Sequence, residues 1–182
     1  MRKRFTIAAA ALLCGLAALG VVAGVPPTAA APRTPVWREV AWPFPMDQWG
    51  KGKAFTCKAA DCGTEVNVYI RAKIGFCNCA TGVADDEELE RVADISLLDD
   101  RYTALAAGRA ITIGRMAGRS RPYVVARASH EKALAIAFNE RCDVIVATAV
   151  VAGDNPAVAE PAVLDFLSGD TVMRWAETAL GL

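Results

Sequence analysis

Residues 132–150 read KALAIAFNERCDVIVATAV, and this run decides the fold. Leu134, Ile136 and Phe138 alternate with alanines, as Val144 and Val146 alternate with Ile145 and Ala147. A period of two marks a strand. Asn139-Glu140-Arg141-Cys142 supplies a turn between strands Lys132–Phe138 and Asp143–Val150. Both faces of this hairpin are apolar, so it belongs at the centre of a sheet covered on each side.

Outward from this hairpin, the chain continues in alternating and helical patterns. Upstream, Ala110–Met116 and Pro122–Arg127 flank Gly118-Arg119-Ser120-Arg121, which reads as a second hairpin turn. Before it, Asp85 with Glu88 forms a capping-box-like pair, and an acidic first turn suits the positive end of a helix. That helix runs to Leu98 with Leu89, Val92 and Ala93 on its apolar face. Glu65–Lys73 alternates cleanly: Val66, Val68, Ile70 and Ala72 face one way, while Asn67, Tyr69, Arg71 and Lys73 face the other. This reads as a half-buried strand. Lys53–Lys58 is a shorter strand that turns through Ala60-Asp61-Cys62-Gly63.

The lead-in at 32–50, PRTPVWREVAWPFPMDQWG, has too many prolines for a helix. It predicts an edge strand at Val36–Val40, with Trp42 and Phe44 laid against the domain. Downstream of the central hairpin, Gly153-Asp154-Asn155-Pro156 is a loop. A helix follows with Pro161 in its first turn and Val163, Phe166 and Leu167 in one stripe. Gly169-Asp170 breaks it, and Val172, Met173, Ala176, Ala179 and Leu180 continue the stripe, with Trp175 half-buried. The fold class is therefore α+β: an antiparallel sheet of about six to seven strands, with one internal helix and a C-terminal helix packed on it.

The N-terminus carries an address. Met1-Arg2-Lys3-Arg4 is basic, Ile7–Val25 is uncharged, and Pro26-Pro27-Thr28-Ala29-Ala30-Ala31 offers small residues to a signal peptidase. The expected division is a signal peptide at 1–31 and one exported domain at 32–182. An uncleaved anchor is the alternative, since 19 uncharged residues approach the roughly 20 that span a bilayer. Membrane contact is expected only in that case. Without the signal, basic residues fall from 20 to 17 against 20 acidic ones, a net charge of −3. This balance gives no reason to expect nucleic acid as a partner.

The exported part holds Cys57-x4-Cys62, Cys77-x-Cys79 and, far along the chain, Cys142. Three chemistries fit the first four. In an oxidising compartment they form disulfides. Of the three pairings that four cysteines allow, the nested one, Cys57–Cys79 with Cys62–Cys77, suits a returning strand, and Cys142 is then a buried free thiol or a further pairing partner. As thiolates, the same four could hold zinc or Cu(I), although structural zinc usually uses C-x2-C knuckles. Thiol redox chemistry is the third reading, although it favours C-x-x-C at a helix start.

Other chemistry is sparse. His130, in Ser129-His130-Glu131, is the single histidine. No C-x-x-C-H, G-x-S-x-G, P-loop or G-x-G-x-x-G is present. The acidic run Asp85–Glu88 with Glu90 is expected as a solvated helix start. Arg115, Arg119, Arg121 and Arg127 cluster about the expected turn, where guanidinium groups could meet a small anionic ligand or an acidic envelope protein.

The element order over 36–182 is similar to that of PsbP-like domains, which are antiparallel sheets flanked by helices in exported lumenal and periplasmic proteins. This resemblance implies architecture and transfers no residue role. WPFPMDQWG together with FCNCATGVADDEEL resembles small exported bacterial proteins of unknown function. The expectation is a periplasmic or secreted, disulfide-stapled accessory or binding protein without catalysis or cofactor. A thiol-based copper, zinc or redox protein of the envelope is the alternative.

Overall fold

The structure is a computed structural model and describes residues 34–126 and 131–182. The expected signal segment 1–31, together with Arg127, Ser129 and His130, lies outside the described residues. Eight strands form one sheet: β1 (Trp37–Val40), β2 (Lys53–Cys57), β3 (Val66–Lys73), β4 (Tyr102–Ala104), β5 (Arg109–Ile113), β6 (Met116–Val125), β7 (Glu131–Glu140) and β8 (Asp143–Val151). The helices are α1 (Ala59–Cys62), α2 (Asp86–Val92), α3 (Pro156–Ser168) and α4 (Asp170–Leu180), with a 3-10 turn at Ile95–Leu97. The α+β class holds, and the sheet is larger than expected by one strand. The addition is β4, whose three residues are too short to show an alternation.

All pairings are antiparallel, in the order β1-β2-β3-β8-β7-β6-β4, with β5 also bonded to β6. The hairpin read first from the sequence lies in the middle, as its two apolar faces require. On one face Val68, Ile70, Leu134, Ile136, Phe138 and Ile145 meet α3 and α4. Those helices bury Ala159, Val163 and Leu167, then Val172, Ala176 and Leu180, each set in steps of four residues along one stripe. Burying one such Val or Leu stabilises by about 1.5–3 kcal/mol. Trp37 and Phe55 close this layer against Phe166.

The opposite face carries Tyr69, Tyr123 and the alanines 133, 135 and 137 beneath Leu89, Val92, Ile95 and Leu98. The small β7 side chains leave room for this second layer. Phe44 and Trp42 pack edge-on against Tyr69, as the lead-in predicted. Strand β3 is therefore covered on both faces, and Arg71 and Lys73 are buried rather than solvated.

Several helix boundaries shift. Asp85 caps α2 by accepting from the Glu88 N–H at 2.8 Å, but Glu88 accepts from Asn78 instead of closing the box. The helix stops at Val92 rather than Leu98, and the 3-10 turn follows. Asn155 caps α3, so Pro156 takes the first turn and Pro161 lies inside the helix. The break at Gly169 is where the sequence put it.

The second hairpin turn is also displaced. Gly118-Arg119-Ser120-Arg121 lies inside β6, and the turn is Gly114-Arg115, with Gly114 at φ +57°. Gly118 permits a close approach: a Cβ there would press on the Ala137 carbonyl and lie 2.8 Å from Phe138 Cα. Gly118→Ala is accordingly expected to cost roughly 1–3 kcal/mol. An unchanged urea midpoint would refute that account. Among the described residues, no helix is long and apolar enough to cross a membrane.

Candidate functional site

The cysteines divide between the two ends of β3. Lys58 leads into the single helical turn α1, which brings Cys62 back to Cys57, with their Cα atoms 6.0 Å apart in a disulfide. Cys77 and Cys79 follow the other end of the strand, eight residues away, or about 26 Å at the rise of a strand. The nested pairing is thereby ruled out, because a straight strand separates its members.

The partner of Cys79 comes from sheet pairing. Lys73 lies opposite Val144 on β8, so the chain leaving β3 passes the turn that enters β8. There Cys79 is bonded to Cys142 across 63 positions. Cys142, the free-thiol candidate, is instead a pairing partner, and among the described residues the free thiol is buried Cys77. Cys57, Cys62 and Cys79 are thus held as disulfides rather than as thiolates. Among the described residues, no group of three metal-ligating side chains comes together.

A set of hydrogen bonds draws the segment after β3 onto the β7–β8 turn. Gly75 N–H donates to Asp143 at 2.7 Å, and Val83 N–H donates to the Asn139 side chain at 3.0 Å. Cys77 N–H donates to the Cys142 carbonyl at 3.1 Å. The Cys77 thiol is 3.3 Å from the Arg141 carbonyl. Arg141 itself adopts a left-handed φ of 54°. Burial pushes the Cys77 thiol up, the Glu88 and Asp143 carboxylates add to that shift, and Arg91 opposes it.

Arg115, Arg119 and Arg121, the described members of the arginine set, do not form a hairpin tip together. Arg115 does lie in a turn, 63% exposed and 4.0 Å from Glu177 of α4. Arg119 and Arg121 project from mid-β6 toward α2. Arg119 pairs with Asp86 and donates to the Gly108 carbonyl at 2.9 Å. Arg121 donates to Glu90 at 2.6 Å and to the Ala106 carbonyl at 2.9 Å. Arg127 lies outside the described residues. Two of the acids expected in a solvated helix start are therefore the partners of two of the arginines. The sequence shows both groups, but not that β6 runs beneath α2.

The Gly108 N–H, then Arg119, holds the Asp86 carboxyl below its usual range. Arg71 does the same for Asp47, and Arg91 for Glu88. These carboxyls favour the folded state above their unfolded values, and that contribution is lost as pH falls through their folded ones. Acid unfolding, followed by tryptophan fluorescence, is expected to begin only below about pH 4. Onset near pH 6 would contradict this assignment.

A buried charge cluster lies on the same face, unanticipated by sequence reasoning. Arg71 clamps Asp94 through Nε and Nη2, and its Nη1 reaches both Asp47 oxygens at 2.7 and 2.8 Å. Lys73 Nζ lies 2.8 Å from Asp94 and donates to the Val92 carbonyl at 2.6 Å. Trp49 and Phe76 cover the ammonium, with ring centroids 5.7 and 5.3 Å away. Burial pushes the Lys73 pKa down, and Asp94 partly restores it. The available signal was two cations on alternate positions of a strand whose other face, Val66, Val68, Ile70 and Ala72, is apolar.

At the opposite end of the sheet, a groove of about 400 Å³ opens along β3, β8 and β7. Asn67, Val150 and Val151 lie along it, and Glu65, Glu131, Asp154 and Lys132 supply its charges. Lys58 lies 3.2 Å from Glu65.

No family model matches the chain, and no curated protein matches it. Among solved structures, it is similar to cyanobacterial PsbP from Synechocystis sp. PCC 6803, at 12% sequence identity and a TM-score of 0.44, covering 72% of this chain and 78% of that one.

Proposed function

We propose that the chain is an exported, periplasmic or secreted accessory protein, stapled by disulfides, that binds an envelope partner and performs no catalysis of its own. The contrast between the two ends of the helix-covered sheet carries this reading. Beneath α2 the charged side chains neutralise one another, as Asp86 and Glu90 do for Arg119 and Arg121. The far end offers an open groove lined by Glu65, Glu131, Asp154 and Lys132 with Asn67, Val150 and Val151, where Glu65 is itself paired with Lys58. Such a groove suits a basic segment of a partner protein better than the anion first expected for the arginines. The two disulfides are compatible with an oxidising compartment.

Thiol mapping and metal analysis of the purified, oxidised protein test the reading. One alkylated thiol is expected among Cys57, Cys62, Cys77, Cys79 and Cys142, without stoichiometric copper or zinc. Three or more thiols, or a bound equivalent of either metal, would overturn it in favour of the thiol-metal alternative. A photo-crosslinking residue at Asp154 is expected to capture one partner in exporting cells, while the same residue at Arg115 does not.

A further inference from the structure

We propose that Cys77 and the Cys79–Cys142 disulfide form a thiol-exchange site, through which the free thiol passes between a buried and an exposed position. Three sulfurs share one corner of the fold. The main-chain bond from Cys77 N–H to the Cys142 carbonyl is 3.1 Å long. Backbone dimensions then keep their two Cα atoms no more than about 7 Å apart, the outer limit of what a disulfide bridges. The Cys77 thiol already rests against the peptide that joins Arg141 to Cys142, 3.3 Å from its carbonyl oxygen. Cys142 therefore has two cysteines within reach, one bonded and one free.

The step needs no external oxidant or reductant. Cys77 loses its proton, and its thiolate attacks Cys142 Sγ. The Cys77–Cys142 bond forms as the Cys79–Cys142 bond breaks. Cys79 leaves as a thiolate and takes up one proton, so the count of one disulfide and one thiol is unchanged. The location of the thiol does change. Cys77 lies in a cluster with Val83, Leu89, Val92 and Val146, whereas Cys79 is exposed. Exchange thus converts a shielded thiol into one open to other molecules. The charged groups about Cys77 are Glu88 and Arg91 from α2 and Asp143 from β8. Burial and the two carboxylates keep the thiol protonated at neutral pH, which holds exchange slow and lets alkali speed it.

The test is disulfide mapping of the full protein without reductant. Samples held at about pH 7 and at about pH 8 are quenched in acid at intervals, alkylated with a maleimide in denaturant and digested. The expected result is maleimide on Cys79 together with a linked Cys77–Cys142 peptide. Its rate should rise about tenfold for the one-unit rise in pH and not depend on protein concentration. In Cys79→Ser refolded with oxidised glutathione, which takes up the two electrons as it is reduced to two thiols, Cys77 and Cys142 are expected to be joined, leaving neither alkylated. Maleimide on Cys77 alone at every time and pH overturns the proposal. So does a rate proportional to protein concentration, or two alkylated thiols in Cys79→Ser. The total stays at one thiol whether or not exchange occurs, so this outcome is separate from the thiol count that tests the accessory-protein reading.

Discussion

Asp94→Ala is expected to lower the unfolding free energy by about 3–5 kcal/mol, the cost of breaking a buried ion pair from one side. Arg71, Lys73 and Asp94 are all buried, and the Asp94 carboxylate answers both cations. Removing it leaves two cations facing each other in an apolar layer. Asp47 cannot compensate, because it reaches Arg71 from a side chain that is 40% exposed. Asp47→Ala should accordingly cost much less, on the order of 1 kcal/mol. Urea unfolding of the two variants beside the wild type measures the difference. If Asp94→Ala and Asp47→Ala lose equal stability, the burial of this cluster does not govern its energetics. Replacing Arg71, Lys73 and Asp94 together with apolar residues is expected to restore part of the loss, since desolvation of the ions disappears along with their attraction.

The second large effect separates the two disulfides. Cys142→Ser opens a loop of 63 residues and Cys62→Ser a loop of 5. In the chain-entropy model these losses are about 4 and about 2 kcal/mol. The longer crosslink contributes more because it removes more freedom from the unfolded chain. Thermal or urea unfolding under non-reducing conditions reads both. Cys79→Ser provides a further comparison. If Cys77 takes the vacant place on Cys142, this variant should retain most of the stability that Cys142→Ser loses. A Cys79→Ser protein as unstable as Cys142→Ser would count against the exchange site, because both variants would then have lost the same crosslink.

The placement of Arg119 shows why local reading reached part of the site and missed the rest. Gly118 beside Arg119 carries the composition of a turn, yet it serves as the point where β6 and β7 approach closely. Glycine permits both, and only the neighbouring strand distinguishes them. The acidic start of α2 shows the same limit. Its cap was legible, because Asp85 and the Glu88 N–H are three residues apart. Its service to Arg119 and Arg121 was not, since those partners lie more than thirty residues away. Arg71 and Lys73 were placed on the correct face of β3, but that face was assigned to solvent. The cover over it comes from Trp49, Phe76 and the 3-10 turn, none of which alternation in β3 can register.

The central hairpin at 132–150 was determined by sequence alone. Its alternation, its turn and its two apolar faces are local properties, and burial requires them to lie in the middle of a sheet. The α+β class, the cap at Asp85 and the break at Gly169 follow from equally local chemistry. Tertiary structure decided the sulfur pairing and the fate of the charges. Strand β3 holds Cys57 and Cys62 apart from Cys77 and Cys79, and its pairing with β8 delivers Cys142 to Cys79. A disulfide or an ion pair forms between groups that the folded chain brings within a few ångströms. For residues separated by a strand or by half the domain, that distance is set by strand order rather than by spacing in the sequence.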